Sequence, residues 1–139
     1  MNETIEQGLR IFGEVYGEEM ASGCRQTIAT AEDFTALHAR WSMEWAFGSV
    51  WTREALPRKM RSLAVLGMMI GLRQADEIKY HTIMGLANGL TREEIEEVFF
   101  SAVPYCGLPI ANTAKAAMTA GFAAYSDMAA SRQSAERQV

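Results

Sequence analysis

Apolar side chains recur every three or four residues along almost the whole chain, and no alternation of period two lasts long enough to suggest a strand. The pattern predicts an all-α protein. Ile5, Leu9, Phe12 and Tyr16 fall on one stripe of a helix from about Glu3 to Tyr16, and Gly17, Ser22 and Gly23 then read as a linker. A second helix is expected from Thr30, a candidate N-cap, with Phe34, Leu37, Trp41 and Trp45 on one buried face. Pro57 suits the first position of a third helix, because its missing N–H has no partner to lose there. From Leu63 to Leu72 that helix is apolar all round, as expected of a core element packed on every side.

A fourth helix is expected from about Gln74 to Asn88, closed by Gly89 as a left-handed cap. The fifth opens on the capping box Thr91-Arg92-Glu93-Glu94 and carries Ile95, Val98, Phe99, Ala102 and Val103 until Pro104 to Pro109 break or bend it. The last helix, from about Pro109, is so rich in Ala and Gly that close helix–helix approach is expected. Beyond Asp127 the apolar stripe disappears. The expectation is a single-domain bundle of about six helices over residues 1–126, with a frayed polar tail over 127–139.

Composition narrows the class. With 139 residues, 49% hydrophobic and 22% charged, the chain is sized for one compact domain and is neither disordered nor fibrous. A formal charge of -4 with no basic run argues against nucleic acid as a partner. Cys24 and Cys106 are isolated, so neither a disulfide framework nor a zinc site is indicated. The first residues lack the pattern of a secretory signal and the longest apolar run is too short to cross a bilayer, so the expected location is cytoplasmic, away from membranes.

Few residues could carry chemistry. Of two histidines, His38 sits on the aromatic stripe and reads as a satisfied core residue. His81 instead groups with Glu77, Met84, Gly85 and Asn88 on a face of mixed polarity, where Glu77 one turn earlier could orient the ring. An interface or solvent-facing histidine is the competing account. Glu44 lies at the margin of an apolar stripe, where a carboxylate would be partly desolvated and suited to acid–base work, or would reach water as an edge residue. Arg53, Arg58 and Arg61 could clamp a carboxylate or form a solvated helix start. Tyr105 and Cys106 lie on an irregular bend of the kind that lines sites, although a lone Cys is more often a small buried hydrophobe.

Phe47-Gly48-Ser49-Val50-Trp51-Thr52-Arg53, Arg58-Lys59-Met60-Arg61-Ser62-Leu63, the stretch from His81 to Ile95, and Tyr105-Cys106-Gly107-Leu108-Pro109-Ile110-Ala111-Asn112 together resemble the carboxymuconolactone decarboxylase family, in order and spacing, across about Trp41 to Tyr125. The resemblance implies an alkylhydroperoxidase-D-like helical protomer assembled as a homotrimer or homohexamer. Related peroxidases use a Cys-x-x-Cys pair at the positions of Gln74 and Glu77, so that thiol chemistry is impossible here.

What the resemblance implies for function is cofactor-free decarboxylation of 4-carboxymuconolactone to the enol-lactone of 3-oxoadipate, a step of aromatic (protocatechuate, β-ketoadipate) catabolism. It assigns His81 as proton donor, Glu44 as its partner or a second acid, Arg61 and Arg53 as carboxylate and oxyanion clamps, and Trp51, Tyr105 and Cys106 as pocket residues, with no metal. Two departures point elsewhere: Arg53-Glu54-Ala55-Leu56-Pro57 replaces the family's Arg-Pro-Gly-Leu-Asp turn, and Ile83 stands where an arginine is common. The alternatives are a paralogue acting on another small lactone or carbonyl acid, and a non-catalytic oligomeric helical protein that binds a ligand or partner.

Overall fold

The computed structural model describes residues 1–138. Among these the chain is all-helical: α1 (Glu3–Tyr16), α2 (Glu18–Thr30), α3 (Phe34–Trp41), a π-helical continuation of α3 (Ser42–Val50), α4 (Arg58–Gly71), α5 (Ala75–Ala87), α6 (Arg92–Cys106) and α7 (Leu108–Glu136). They form two compact units, Met1–Arg58 and Lys59–Val139.

In the amino-terminal unit, Asn2 caps α1 by accepting from the Ile5 amide at 2.9 Å, and Glu3 and Glu6 complement the helix dipole in the first turn. Ile5 and Leu9 of α1 meet Ile28 of α2 and Met43 in a small core, with Phe12 edge-on to Phe47 at 5.2 Å. α1 approaches the π segment backbone to backbone: a Cβ on Gly8 would run into the Met43 carbonyl, and one on Gly48 into the Thr4 carbonyl. Glycine is required at both places for steric reasons.

Two expectations fail here. The stretch read as a linker is α2, which was inconspicuous because its fully buried residues are only Ala21 and Ile28. Thr30 ends that helix, and the cap of the next is Asp33, which accepts from the Ala36 amide at 2.9 Å. The aromatic stripe does not face the core either. Phe34 is 86% exposed and Trp45 60%, and His38 is exposed rather than a core histidine. The inward line is Ala36, Ala39, Met43 and Phe47, of which Met43 is buried in the core cluster with Ala39 and Phe47 packed against it. The outward face carries Trp41 and Trp45, stacked at 5.2 Å and 9°.

In the carboxy-terminal unit, Leu66 and Ile70 of α4, Ile78 of α5, Ile95 of α6 and Met118 of α7 share one core. α4 was expected to be buried on all sides. Instead it buries one stripe, Ser62, Leu66 and Ile70, and leaves Met60 and Met68 more than half exposed, with open space around Gly67 and Gly71. α6 begins at the predicted capping box, with Glu94 N–H to Thr91 at 3.1 Å and Thr91 N–H to Glu94 at 2.9 Å. Pro104 lies inside α6 without breaking it, because the carbonyl deprived of its partner belongs to exposed Phe100, where water can serve. Gly107, at φ 89°, makes the actual break.

α7 packs on α5 where the small-residue stripe Ala114, Ala117 and Gly121 is buried, and a Cβ on Gly121 would lie 2.7 Å from Thr82. The helix runs on to Glu136 through most of the stretch read as a polar tail; residue 139 of that tail lies outside the described residues. No described helix is long and apolar enough to cross a membrane.

Candidate functional site

His81 lies in the middle of α5, between the buried Ile78 and the fully buried Thr82, whose hydroxyl donates to the Ile78 carbonyl at 2.7 Å. Its side chain is 16% exposed. On the same face, one turn toward the N-terminus, Glu77 places a carboxylate oxygen 3.8 Å from Nε2, an ion-pair contact longer than a hydrogen bond. Burial pushes the imidazole's pKa down, and the Glu77 charge opposes that shift. Burial thus favours the neutral ring, while the carboxylate favours the imidazolium.

Farther along the same helix, the Asn88 side-chain N–H donates to Ser62 Oγ of α4 at 3.0 Å. Ser62 is only 1% exposed, a buried polar group in an otherwise apolar stripe. Its neighbour Arg61 is half-buried, with its Nε atom out of contact with solvent. The carboxy-terminal unit thus supplies a guanidinium on α4 and a buried imidazole on α5, with the two helices tied together by the Ser62–Asn88 bond. Sequence reasoning missed Ser62; the available signal was a lone hydroxyl in the apolar run that opens α4.

The remaining candidates are dispersed. Tyr105, at the end of α6, is 91% exposed. Cys106 packs partly against the core and lines an open groove of about 350 Å³ with Arg73, Pro109, Ile110 and Thr113, a lining that does not include His81. Three candidates belong to the amino-terminal unit. Glu44, in the π segment, accepts from the Asn2 side-chain amide at 2.8 Å. Trp51 is buried, and Arg53 is exposed in the turn that follows. Both line an open groove of about 580 Å³. Long π-helical segments are rare and frequently mark functional sites, so the placement of Glu44 within one is informative. Ile83, the position where an arginine was expected, is 4% exposed and packed as a core residue.

Among the described residues no cluster of three or more His, Cys, Asp or Glu side chains is disposed to hold a metal ion. What the geometry offers is acid–base chemistry at a buried imidazole with a carboxylate beside it, on a small all-α scaffold that also carries several guanidinium groups. Fold and site together define a small all-helical protein with a largely buried histidine–carboxylate pair.

Residues 36–120 match the carboxymuconolactone decarboxylase family. The chain is 36% identical over 105 residues to the nitrosuccinic acid decarboxylase npaB of Metarhizium robertsii, covering 76% of this chain and 71% of that protein. It is 31% identical over 112 residues to the 4-carboxymuconolactone decarboxylase of Acinetobacter baylyi, covering 81% of each. The chain belongs to the carboxymuconolactone decarboxylase family. Both relatives are decarboxylases, which supports a carbon–carbon lyase activity at the general level.

Proposed function

We propose that this protein decarboxylates a small acid carrying a second carboxylate and a built-in electron sink, without an organic cofactor, and that 4-carboxymuconolactone is the first substrate to test. The observation that carries this reading is His81: a buried, neutral-leaning imidazole with Glu77 beside it, inside the segment that matches the family. In 4-carboxymuconolactone the departing carboxylate is conjugated through a C=C bond to the lactone carbonyl. Breaking the C–C bond releases carbon dioxide and sends the bonding pair into a dienolate, and one proton delivered to carbon completes the enol-lactone. The protein must bind the carboxylates, stabilise the dienolate oxygen and deliver that proton.

His81 is assigned as the proton donor. Burial disfavours its charged form in the empty protein, whereas a bound dianion favours it, so binding substrate would load the ring with the proton it later gives up. Arg61 is assigned to the developing oxyanion, Arg53 to a carboxylate, and Glu44 to a partner or second acid. Trp51, Tyr105 and Cys106 are assigned to the pocket. The outward aromatic face of Phe34, Trp41 and Trp45 supports a homo-oligomer, either trimer or hexamer.

A second reading is favoured by the nitrosuccinic acid decarboxylase relative and by the apolar Ile83: a paralogue acting on another small acid. A nitro group accepts an electron pair as a lactone carbonyl does, so the demands on the protein are the same. An ultraviolet assay with 4-carboxymuconolactone and with nitrosuccinate, run beside His81→Ala and Arg61→Ala, separates the readings. Loss of roughly 10²–10⁴-fold in turnover by His81→Ala is expected. Full activity of that variant removes the central role, and turnover of nitrosuccinate alone selects the paralogue.

A further inference from the structure

α6 and α7 double back at Gly107, so that Arg92 in the first turn of α6 meets Phe122 of α7, its guanidinium carbon 4.4 Å from the centre of the ring. Along this hairpin, within the carboxy-terminal unit, the two helices line a groove of about 290 Å³. α6 contributes Arg92, Glu96 and the pair Phe99 and Phe100, which share one face of the helix. α7 contributes Lys115, Met118 and Phe122, again on one face. Met118 is a core residue, 3% exposed, and Phe99 packs against that same core. Phe100 is 57% exposed and leans on Phe99, with ring centres 5.2 Å apart and planes at 61°. The groove therefore presents aromatic rings and a thioether, anchored from behind, to whatever enters it.

Its two ends differ in charge. At the Phe122 end, Arg92 Nε donates to the Glu96 carboxylate at 2.8 Å, so that cation is neutralised from within its own helix. Lys115 stands two turns back along α7, about 10 Å away along the helix axis. Among the described residues its ammonium has neither a hydrogen bond nor an ion pair. Of the charged groups that line the groove, Arg92 and Glu96 cancel and the single positive charge of Lys115 remains.

We propose that this groove binds aryl monocarboxylates, with the carboxylate on Lys115 and the ring among Phe99, Phe100 and Met118. One uncompensated cation calls for one anionic group, and a second carboxylate would point toward Glu96. Aromatic rings and a methionine sulfur attract a further ring, edge to face, beyond what its buried area supplies. The volume accommodates one ring with its acid group, at the small end of the range for ligand sites. His81, Arg53 and Arg61 are not among the lining residues, so the inference is independent of the proposed decarboxylation.

The experiment is an NMR titration of the whole protein with benzoate, following backbone amide shifts. Saturable shifts centred on residues 92–100 and 115–122 are expected, with a dissociation constant on the order of 1 mM for so small a ligand. Propanoate keeps the charge without the ring and benzyl alcohol keeps the ring without the charge; each is expected to bind at least about fivefold more weakly. Cyclohexanecarboxylate, of similar size but without a π face, should lose about two- to tenfold. Lys115→Gln and Phe100→Leu should each weaken benzoate about two- to fivefold, with the circular dichroism spectrum unchanged, whereas His81→Ala should leave its affinity alone. Benzoate shifts centred around His81, or affinity matched by benzyl alcohol or cyclohexanecarboxylate, overturns the proposal. So does full retention of benzoate affinity in both groove variants. Absence of shifts in the groove, together with a lower sedimenting mass for Phe100→Asp, would show that a second copy of the chain fills it instead. Should a variant fold poorly, the ligand series on the unaltered protein decides alone.

Discussion

The two units bury their cores in different ways. The carboxy-terminal unit interlocks Leu66, Ile70, Ile78, Ile95 and Met118 from four helices, one of which, α6, opens on a capping box. The amino-terminal unit gathers Ile5, Leu9, Ile28 and Met43 into its core cluster and adds close backbone approach at Gly8 and Gly48. The difference lies in what holds side chains in place. His81 on α5 is walled largely by packing, whereas Arg10 and Arg58 are held at the surface by ion pairs to Glu14.

That contrast can be broken by matched substitutions. Ile78→Ala removes a fully buried side chain from the larger core and should cost about 2–5 kcal/mol of stability, read by chemical denaturation. Amide exchange should accelerate most across residues 59–138. Gly8→Ala adds a single methyl, yet it meets a backbone carbonyl that cannot swing aside, so roughly 1–3 kcal/mol is expected, with the faster exchange confined to α1 and the π segment. If Gly8→Ala is neutral, the amino-terminal unit is not held by backbone approach, and the contrast between the two ways of packing collapses.

The legible parts of the sequence were those written in local chemistry. Thr91 and Glu94 announced their own reciprocal bonds, Gly89 carried the positive φ expected of the cap after α5, and the Ala and Gly of α7 signalled the close approach to α5. The concealed parts depended on partners distant in sequence. α2 buries chiefly Ala21 and Ile28, too little apolar surface to stand out. Which line of α3 faces inward depends on its packing against α2, a partner that no local pattern records. At the candidate site, the mixed face of α5 set His81 and Glu77 side by side in the sequence reading, because helical spacing alone fixes that pair. The Ser62–Asn88 bond and the grip of Arg58 on Glu14 stayed hidden, since they join residues 26 and 44 positions apart.

Smaller effects sharpen the comparison. Thr91→Ala deletes one half of the capping box and leaves an amide to water, for a loss of about 1 kcal/mol by thermal or chemical denaturation. The pH dependence of stability carries a still smaller signal from His81. Its folded pKa lies below the ordinary 6.5 because burial disfavours the charge. Above 6.5 the ring is neutral in both folded and unfolded chains. As pH falls below 6.5 the unfolded chain takes up a proton that the folded one resists, so stability is lost progressively until the folded pKa is also passed. His81→Gln should flatten that limb of the stability curve while leaving the region above pH 7 alone. Glu77→Gln should steepen it, because a nearby charge that favours the imidazolium is gone and the folded pKa drops further. Coincident curves for the unaltered protein and His81→Gln below pH 6.5 would show that the ring is wet, and a wet imidazole would remove the physical reason for assigning His81 as the proton donor.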